Sequence, residues 1–107
     1  MNDGCWLYII LCKNGNLYTG ISNNYIRRWT QHITKKGARY IKIHGFLKPV
    51  FLEWHVTKGE AMKRENQIKK FSKNKKEKLI KSDLNIINDK IKFIDDEFWI
   101  TKRFISY

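Results

Sequence analysis

Trp6-Leu7-Tyr8-Ile9-Ile10-Leu11-Cys12 is an unbroken apolar run, followed at once by Lys13-Asn14-Gly15-Asn16 and then by Leu17-Tyr18-Thr19-Gly20. A short run of this kind, rich in β-branched and aromatic residues, reads as a strand buried on both faces. Asn-Gly is the strongest local signal for a tight hairpin, because both residues tolerate positive φ. The chain is therefore committed to an antiparallel hairpin whose first strand needs cover above and below. With 107 residues it can form one domain with one modest core.

The remaining segments supply that cover. Ser22 or Asn23 can cap a helix running to about Lys35, with Ile26, Trp29 and Ile33 as its core stripe. Arg28 and His32 form an i, i+4 pair on the flank of that stripe. Lys35 to Tyr40 reads as a basic loop, and Val50 to Val56, after Pro49, as a third strand. A second helix is expected from about Glu60 to Phe71, with Ala61, Met62, Ile68 and Phe71 on one side. Glu65 falls inside that apolar side. A carboxylate there is costly unless Lys69 or Arg28 pairs with it, or unless it holds a cation. Leu79, Ile80, Leu84 and Ile87 suggest further helix, and the aromatic end from Phe93 to Tyr107 is left unplaced. The fold class expected is a small α/β (α+β) domain with a three-stranded, mainly antiparallel sheet flanked by helices.

Charge narrows the function. The chain carries a formal net charge of +12, which favours a polyanion partner through release of phosphate counterions. Residues 1–82 hold 18 of the 22 basic and 5 of the 10 acidic residues, a net of +13, and residues 83–107 hold 4 and 5, a net of −1. Binding is thus expected in a domain over 1–82. The extension over 83–107 is expected to pack on the same domain or to dock a protein partner. Cys5 and Cys12 lie seven residues apart on one strand, out of easy reach of each other, and read as reduced and buried. No paired ligand spacing supports a zinc site built from them and from His32, His44 or His55. The longest apolar run is far below the ~20 residues of a membrane span. A cytoplasmic protein with no membrane association is expected.

Five residues carry chemistry together: Tyr8, Tyr18, Arg28, His32 and Glu65. Two phenols, a guanidinium, an imidazole and a carboxylate on the inward side of a helix suit metal-assisted hydrolysis of a phosphodiester. Each alone has a plainer reading, as a hairpin aromatic, a solvated arginine, a core-edge histidine or a paired glutamate. The conjunction favours the catalytic one.

In this order and spacing, Leu7-Tyr8-Ile9, Tyr18-Thr19-Gly20, Arg28, His32 and Glu65 resemble the GIY-YIG nucleases. The resemblance covers about residues 5–82. Lys36-Gly37-Ala38-Arg39-Tyr40, Lys48-Pro49-Val50 and Glu60 to Glu65 look most like the small stand-alone bacterial subgroup. That subgroup is related to the catalytic domain of a eukaryotic nuclease that cuts branched DNA. Leu7 stands where the first tripeptide has glycine, and Thr19 where the second has isoleucine.

The resemblance implies an endonuclease acting on DNA, with flapped or branched forms and a role in repair or recombination as expectations. It implies that Glu65 binds one divalent cation, Mg²⁺ or Mn²⁺, and that Tyr8 or Tyr18 is the general base, its phenol lowered by nearby cations such as Arg28. Lys36, Arg39 and Tyr40 would grip the backbone or stack on a base, with Lys69, Lys70 and Lys73 extending the track. Asn74 stands nine residues after Glu65, closer than the asparagine that often follows the family's glutamate, and is a further candidate. The alternatives are a nucleic-acid-binding module that does not cut, and a catalytic subunit that needs a partner.

Overall fold

In a computed structural model describing residues 4–87, the chain forms β1 (Cys5–Cys12), β2 (Leu17–Ser22), α1 (Tyr25–Ile33), α2 (Arg39–His44), β3 (Phe46–His55), α3 (Lys58–Lys69) and α4 (Lys73–Ile80). The sheet order is β2-β1-β3, and both pairings are antiparallel.

β1 is central, as its unbroken apolar sequence requires, and its alternate residues serve two cores. Tyr8, Ile10 and Cys12 face Trp29 of α1, Ile41 of α2 and Leu52 of β3. Leu7 and Ile9 face Phe51, with Ile68 of α3 and Leu79 of α4 as cover. Both cysteines are free and buried, and burial raises both thiols above their ordinary range.

The hairpin uses its Asn-Gly pair unequally. Gly15 takes φ +88°, while Lys35 is the one non-glycine with positive φ among the described residues. Gly15 donates to the Cys12 carbonyl at 2.9 Å. Asn14 instead works through its side chain, whose oxygen accepts from the Asn16 N–H at 3.0 Å and whose amide meets His44 Nδ1 at 2.9 Å.

Boundaries shift where capping decides them. The α1 cap is Asn24, not Ser22 or Asn23, because its side chain accepts from the Arg27 N–H. Ser22 Oγ, two residues earlier, is bonded to the Asn24 backbone. The helix ends at Ile33 rather than Lys35. Lys36 N–H reaches back to the Gln31 carbonyl at 2.8 Å and Lys35 N–H to the His32 carbonyl at 3.2 Å, with Lys35 at φ 63°. That is a Schellman closure with an uncommon non-glycine at its left-handed position.

Part of the expected basic loop is α2, a helix that buries only Ile41 and is therefore nearly silent in hydrophobic pattern. β3 begins at Phe46 instead of Val50. Pro49 lies within it, tolerated because β3 is an edge strand and because the register slips between Ile9 and Ile10 at that point. α3 starts earlier than expected, capped by Thr57, whose hydroxyl accepts from the Glu60 N–H at 3.1 Å. Met62, expected on its apolar side, is exposed.

Past α4, Asn85 ties the start of the C-terminal extension to β3. Its oxygen accepts from Leu52 N–H at 3.1 Å and Ile87 N–H at 3.0 Å, and its amide donates to the Val50 and Ile80 carbonyls, each at 2.8 Å. Ile87 joins the Tyr8 core. Residues 88–107, including the aromatic end, lie outside the described residues.

Asn85→Ala leaves these four backbone groups without partners and is expected to cost about 3 kcal/mol in a denaturant titration. Thr19 has the opposite balance. Its hydroxyl is buried with no hydrogen-bond partner among the described residues. Thr19→Val is expected to raise the denaturation midpoint, by about 1 kcal/mol in stability.

Candidate active site

The chemistry-bearing side chains converge at the β2 edge of the sheet. Tyr8 stands in the middle of β1 directly across from Gly20 of β2. A Cβ on Gly20 would lie 2.6 Å from the Tyr8 phenol oxygen. Glycine is therefore needed here for room, and the phenol occupies the space it leaves. From the other side, His32 of α1 brings Nε2 to 2.9 Å from that same oxygen.

Both groups are buried, Tyr8 at 1% exposure and His32 at 2%. The second ring nitrogen, Nδ1, accepts from the Ala38 backbone N–H at 3.3 Å. Tyr18 meets the His32 ring edge-on at 5.9 Å and stacks on Tyr40 at 5.8 Å.

Arg28 acts on the pair by charge, and Glu65 more weakly, on Tyr8 alone. Arg28 is half-buried one turn before His32, and its Nη1 donates to Gln31 Oε1 at 2.9 Å. Its charge acts on both Tyr8 and His32. The Glu65 carboxylate, 17% exposed, is felt at Tyr8 and Cys5 and pairs with Lys69 Nζ at 3.3 Å.

The titration of the pair differs from the expected lowering of a phenol. Burial pushes Tyr8 up, the neighbouring Tyr18 adds to this, and Arg28 opposes it without prevailing. Burial first and Arg28 second push His32 down to about 4. At neutral pH both groups are uncharged.

Comparison with known proteins gives the family. A family model described as the GIY-YIG catalytic domain matches residues 4–78, which include Tyr8, Tyr18, Arg28, His32 and Glu65. The chain belongs to the GIY-YIG family. A UPF0213 protein of Staphylococcus saprophyticus is 45% identical over 78 residues, covering 73% of this chain and 95% of that relative. A UPF0213 protein of Fusobacterium nucleatum is 34% identical over 84 residues, 78% of this chain and 84% of its own length. The solution NMR structure of the UPF0213 protein BH0048 from Bacillus halodurans is similar at TM-score 0.50 and 35% identity, covering 76% of this chain and 86% of that one.

The two departures from the GIY-YIG tripeptides fall away from the phenol. Leu7 points to the α3/α4 side of the sheet, where a large apolar residue fills the core. Thr19 is buried on β2 with the orphaned hydroxyl described above.

The donor set suits a hard divalent ion. Among the described residues no group of three or more His, Cys, Asp or Glu could hold a metal. One carboxylate of limited exposure fits an ion such as Mg²⁺, which keeps several waters and takes phosphate oxygens as further ligands. It does not fit a closed zinc site.

A cleft of about 670 Å³ opens beside this group, lined among others by Ser22 of β2, Arg27, Arg28 and Gln31 of α1, Cys5 of β1 and Lys58 of α3. No carboxylate lines it. Arg27, which the sequence gives no reason to separate from any solvated arginine, and Lys58, at the first position of α3, were not legible as cleft residues. Only the fold brings those helix ends together.

The other candidates are spread more widely. Lys36 and Arg39 are exposed around the start of α2. Tyr40 is 37% exposed, but its ring already packs against Tyr18 and His44, and its hydroxyl accepts from Asn16 Nδ2 at 2.8 Å. Lys69 is engaged by Glu65, and Lys70 borders a separate shallow groove with Phe71 and Lys75. Lys73 and Asn74 are exposed in the first turn of α4. No helix among the described residues is long and apolar enough to cross a membrane.

Proposed function

We propose that the protein is a divalent-metal-dependent endonuclease hydrolysing phosphodiester bonds of DNA, with flapped or branched DNA as its preferred form. The observation that carries this reading is the buried Tyr8–His32 pair, 2.9 Å apart beneath Gly20, with Arg28 beside it lining a basic cleft.

The cleft takes the phosphate backbone through Arg27, Arg28 and Lys58, contacts that position a strand without reading its sequence. Arg28 presents a planar fork to a non-bridging phosphate oxygen and stabilises the charge gained in the pentavalent transition state. Tyr8 removes the proton of the attacking water, with His32 orienting its oxygen. Burial makes the Tyr8 phenolate rare but strongly basic once formed, and Arg28 offsets part of that cost. A divalent cation, Mg²⁺ or Mn²⁺, held by Glu65 would add positive charge at the phosphate and the leaving oxygen. Lys36 and Arg39 on one side, and Lys70 and Lys73 on the other, extend the backbone track. The protein acts in the cytoplasm, consistent with its two free buried cysteines.

Binding without cutting is the rival reading, favoured by the Lys69–Glu65 ion pair, which neutralises the carboxylate with no metal. Labelled linear, flapped and four-way-junction DNA, incubated with Mg²⁺, Mn²⁺ or EDTA, separates the two. Product in either metal and none in EDTA is expected, with flapped or branched forms cut fastest. Metal-independent binding with no product in any arm would favour the rival.

A further inference from the structure

His32 is held at both ring nitrogens, and the two bonds together decide where its proton lies. A backbone N–H can only donate, so Nδ1, which faces the Ala38 amide, must present its lone pair. A neutral imidazole has one protonated nitrogen, and that nitrogen is then Nε2. The 2.9 Å contact therefore runs from His32 Nε2–H to the Tyr8 oxygen.

The chain takes trouble to place that amide. The Schellman closure of α1 turns the backbone at Lys35 and throws it back over the helix end. Gly37 then passes so close that a Cβ there would overlap His32 Nδ1 and lie 3.0 Å from His32 Cα. Its φ is not in the left-handed region, so glycine is present for space, not for backbone freedom. Ala38 follows, with its N–H on the ring.

We infer that the Lys35–Ala38 turn is a positioning element that fixes His32 as the neutral Nε2–H tautomer, making it a permanent hydrogen-bond donor to Tyr8 and not a proton acceptor. An acceptor of this bond directs its own O–H away from the ring. The Tyr8 proton therefore leaves from the side of the oxygen away from the ring, to a water entering with the substrate, and not to the imidazole. The phenolate so formed, held by the Nε2–H, takes a proton from the attacking water and returns to the phenol.

The charged and titratable groups around the pair agree. Arg28 on α1 disfavours an imidazolium, and the phenol of Tyr8 from β1 is raised by burial, while Tyr18 from β2 meets the imidazole through its ring. Glu65 of α3, the one carboxylate whose charge is felt here, acts on Tyr8. An imidazolium would also set its Nδ1–H against the Ala38 N–H.

The catalytic consequence rests on the nuclease reading, but the tautomer can be measured without it. Long-range ¹H–¹⁵N spectra of the full chain should show His32 with Nδ1 bare and Nε2 protonated from pH 8 down to pH 5. A protonation midpoint inside that window, or an Nδ1–H tautomer, would overturn the inference. Gly37→Ala should mix the tautomers and move the midpoint towards that of a free histidine, and an unchanged spectrum would contradict the role of the turn.

His32→Gln and His32→Ala, compared in cleavage, give a second readout. Glutamine can still donate but cannot serve as a base, so it should stay within about tenfold of wild type, while alanine loses about 10²-fold or more. Glutamine as inactive as alanine would sink the donor role. If wild type cuts nothing, the nuclease reading fails, and the spectra still decide the tautomer.

Discussion

Tyr8→Phe is expected to lower the rate of DNA cleavage by about 10²–10⁴-fold while the domain stays folded. The substitution removes one oxygen from a ring that otherwise packs edge-on against Trp29, and that packing is unaltered. It deletes the acceptor opposite His32 Nε2, leaving a buried donor unpaired at a cost of about 1–3 kcal/mol. Circular dichroism and a denaturant midpoint check that this loss is tolerated. Tyr18→Phe is the matched control, because Tyr18 meets His32 through its ring. A loss at Tyr18 as large as that at Tyr8 would make the pair of phenols one unit. A large loss at Tyr18 alone would move the base from β1 to β2.

Acidification should unfold the protein through His32. The ordinary histidine value is 6.5 and the folded one about 4. Between these values the unfolded chain binds a proton that the folded chain refuses, so stability falls as pH falls across that window. The full contribution is present above the upper value, and about 3 kcal/mol is lost by the lower one. Denaturant midpoints of wild type and His32→Gln at pH 7, 5.5 and 4.5 isolate this from the carboxylates, which both proteins share. The variant should lose less stability than wild type, and equal losses would show that His32 titrates normally in the folded state. At the alkaline end the sign reverses in cause. Tyr8 is raised in the fold, so above its ordinary value of 10 the unfolded chain ionises first, and stability falls as pH rises.

The sheet was legible because its signals are local. An apolar run too short for a helix bundle, then Asn-Gly, leaves β1 few places other than the middle of a small antiparallel sheet. The Arg28–His32 spacing likewise survives folding, since an i, i+4 pair stays on one face wherever the helix begins. α2 escaped because a six-residue helix burying Ile41 alone carries no period to read. β3 was cut short at Pro49 because a proline ends a central strand but not an edge strand, and edge position is a property of the whole sheet.

The site shows the same division. That Tyr8, Tyr18 and His32 lie together was readable, but what they do to one another was not. Tyr8 was expected to be lowered by Arg28. Burial under Gly20 and beside His32 outweighs that charge, and burial is not written in the spacing of tyrosines. Gly20 and Gly37 look alike in sequence as loop or strand-end glycines. Each is required by contact with one side chain of the pair. Asn85 gave no signal at all, because its four backbone partners come from three separate segments.

Single-turnover cleavage of labelled flapped DNA by wild type and Glu65→Ala in Mg²⁺, with binding measured on the same samples, tests the central claim most directly. Product from wild type that EDTA abolishes is expected, with no product from Glu65→Ala and similar affinity of both proteins for the DNA. Undiminished cleavage by Glu65→Ala would contradict it, as would tight binding by wild type with no product in metal.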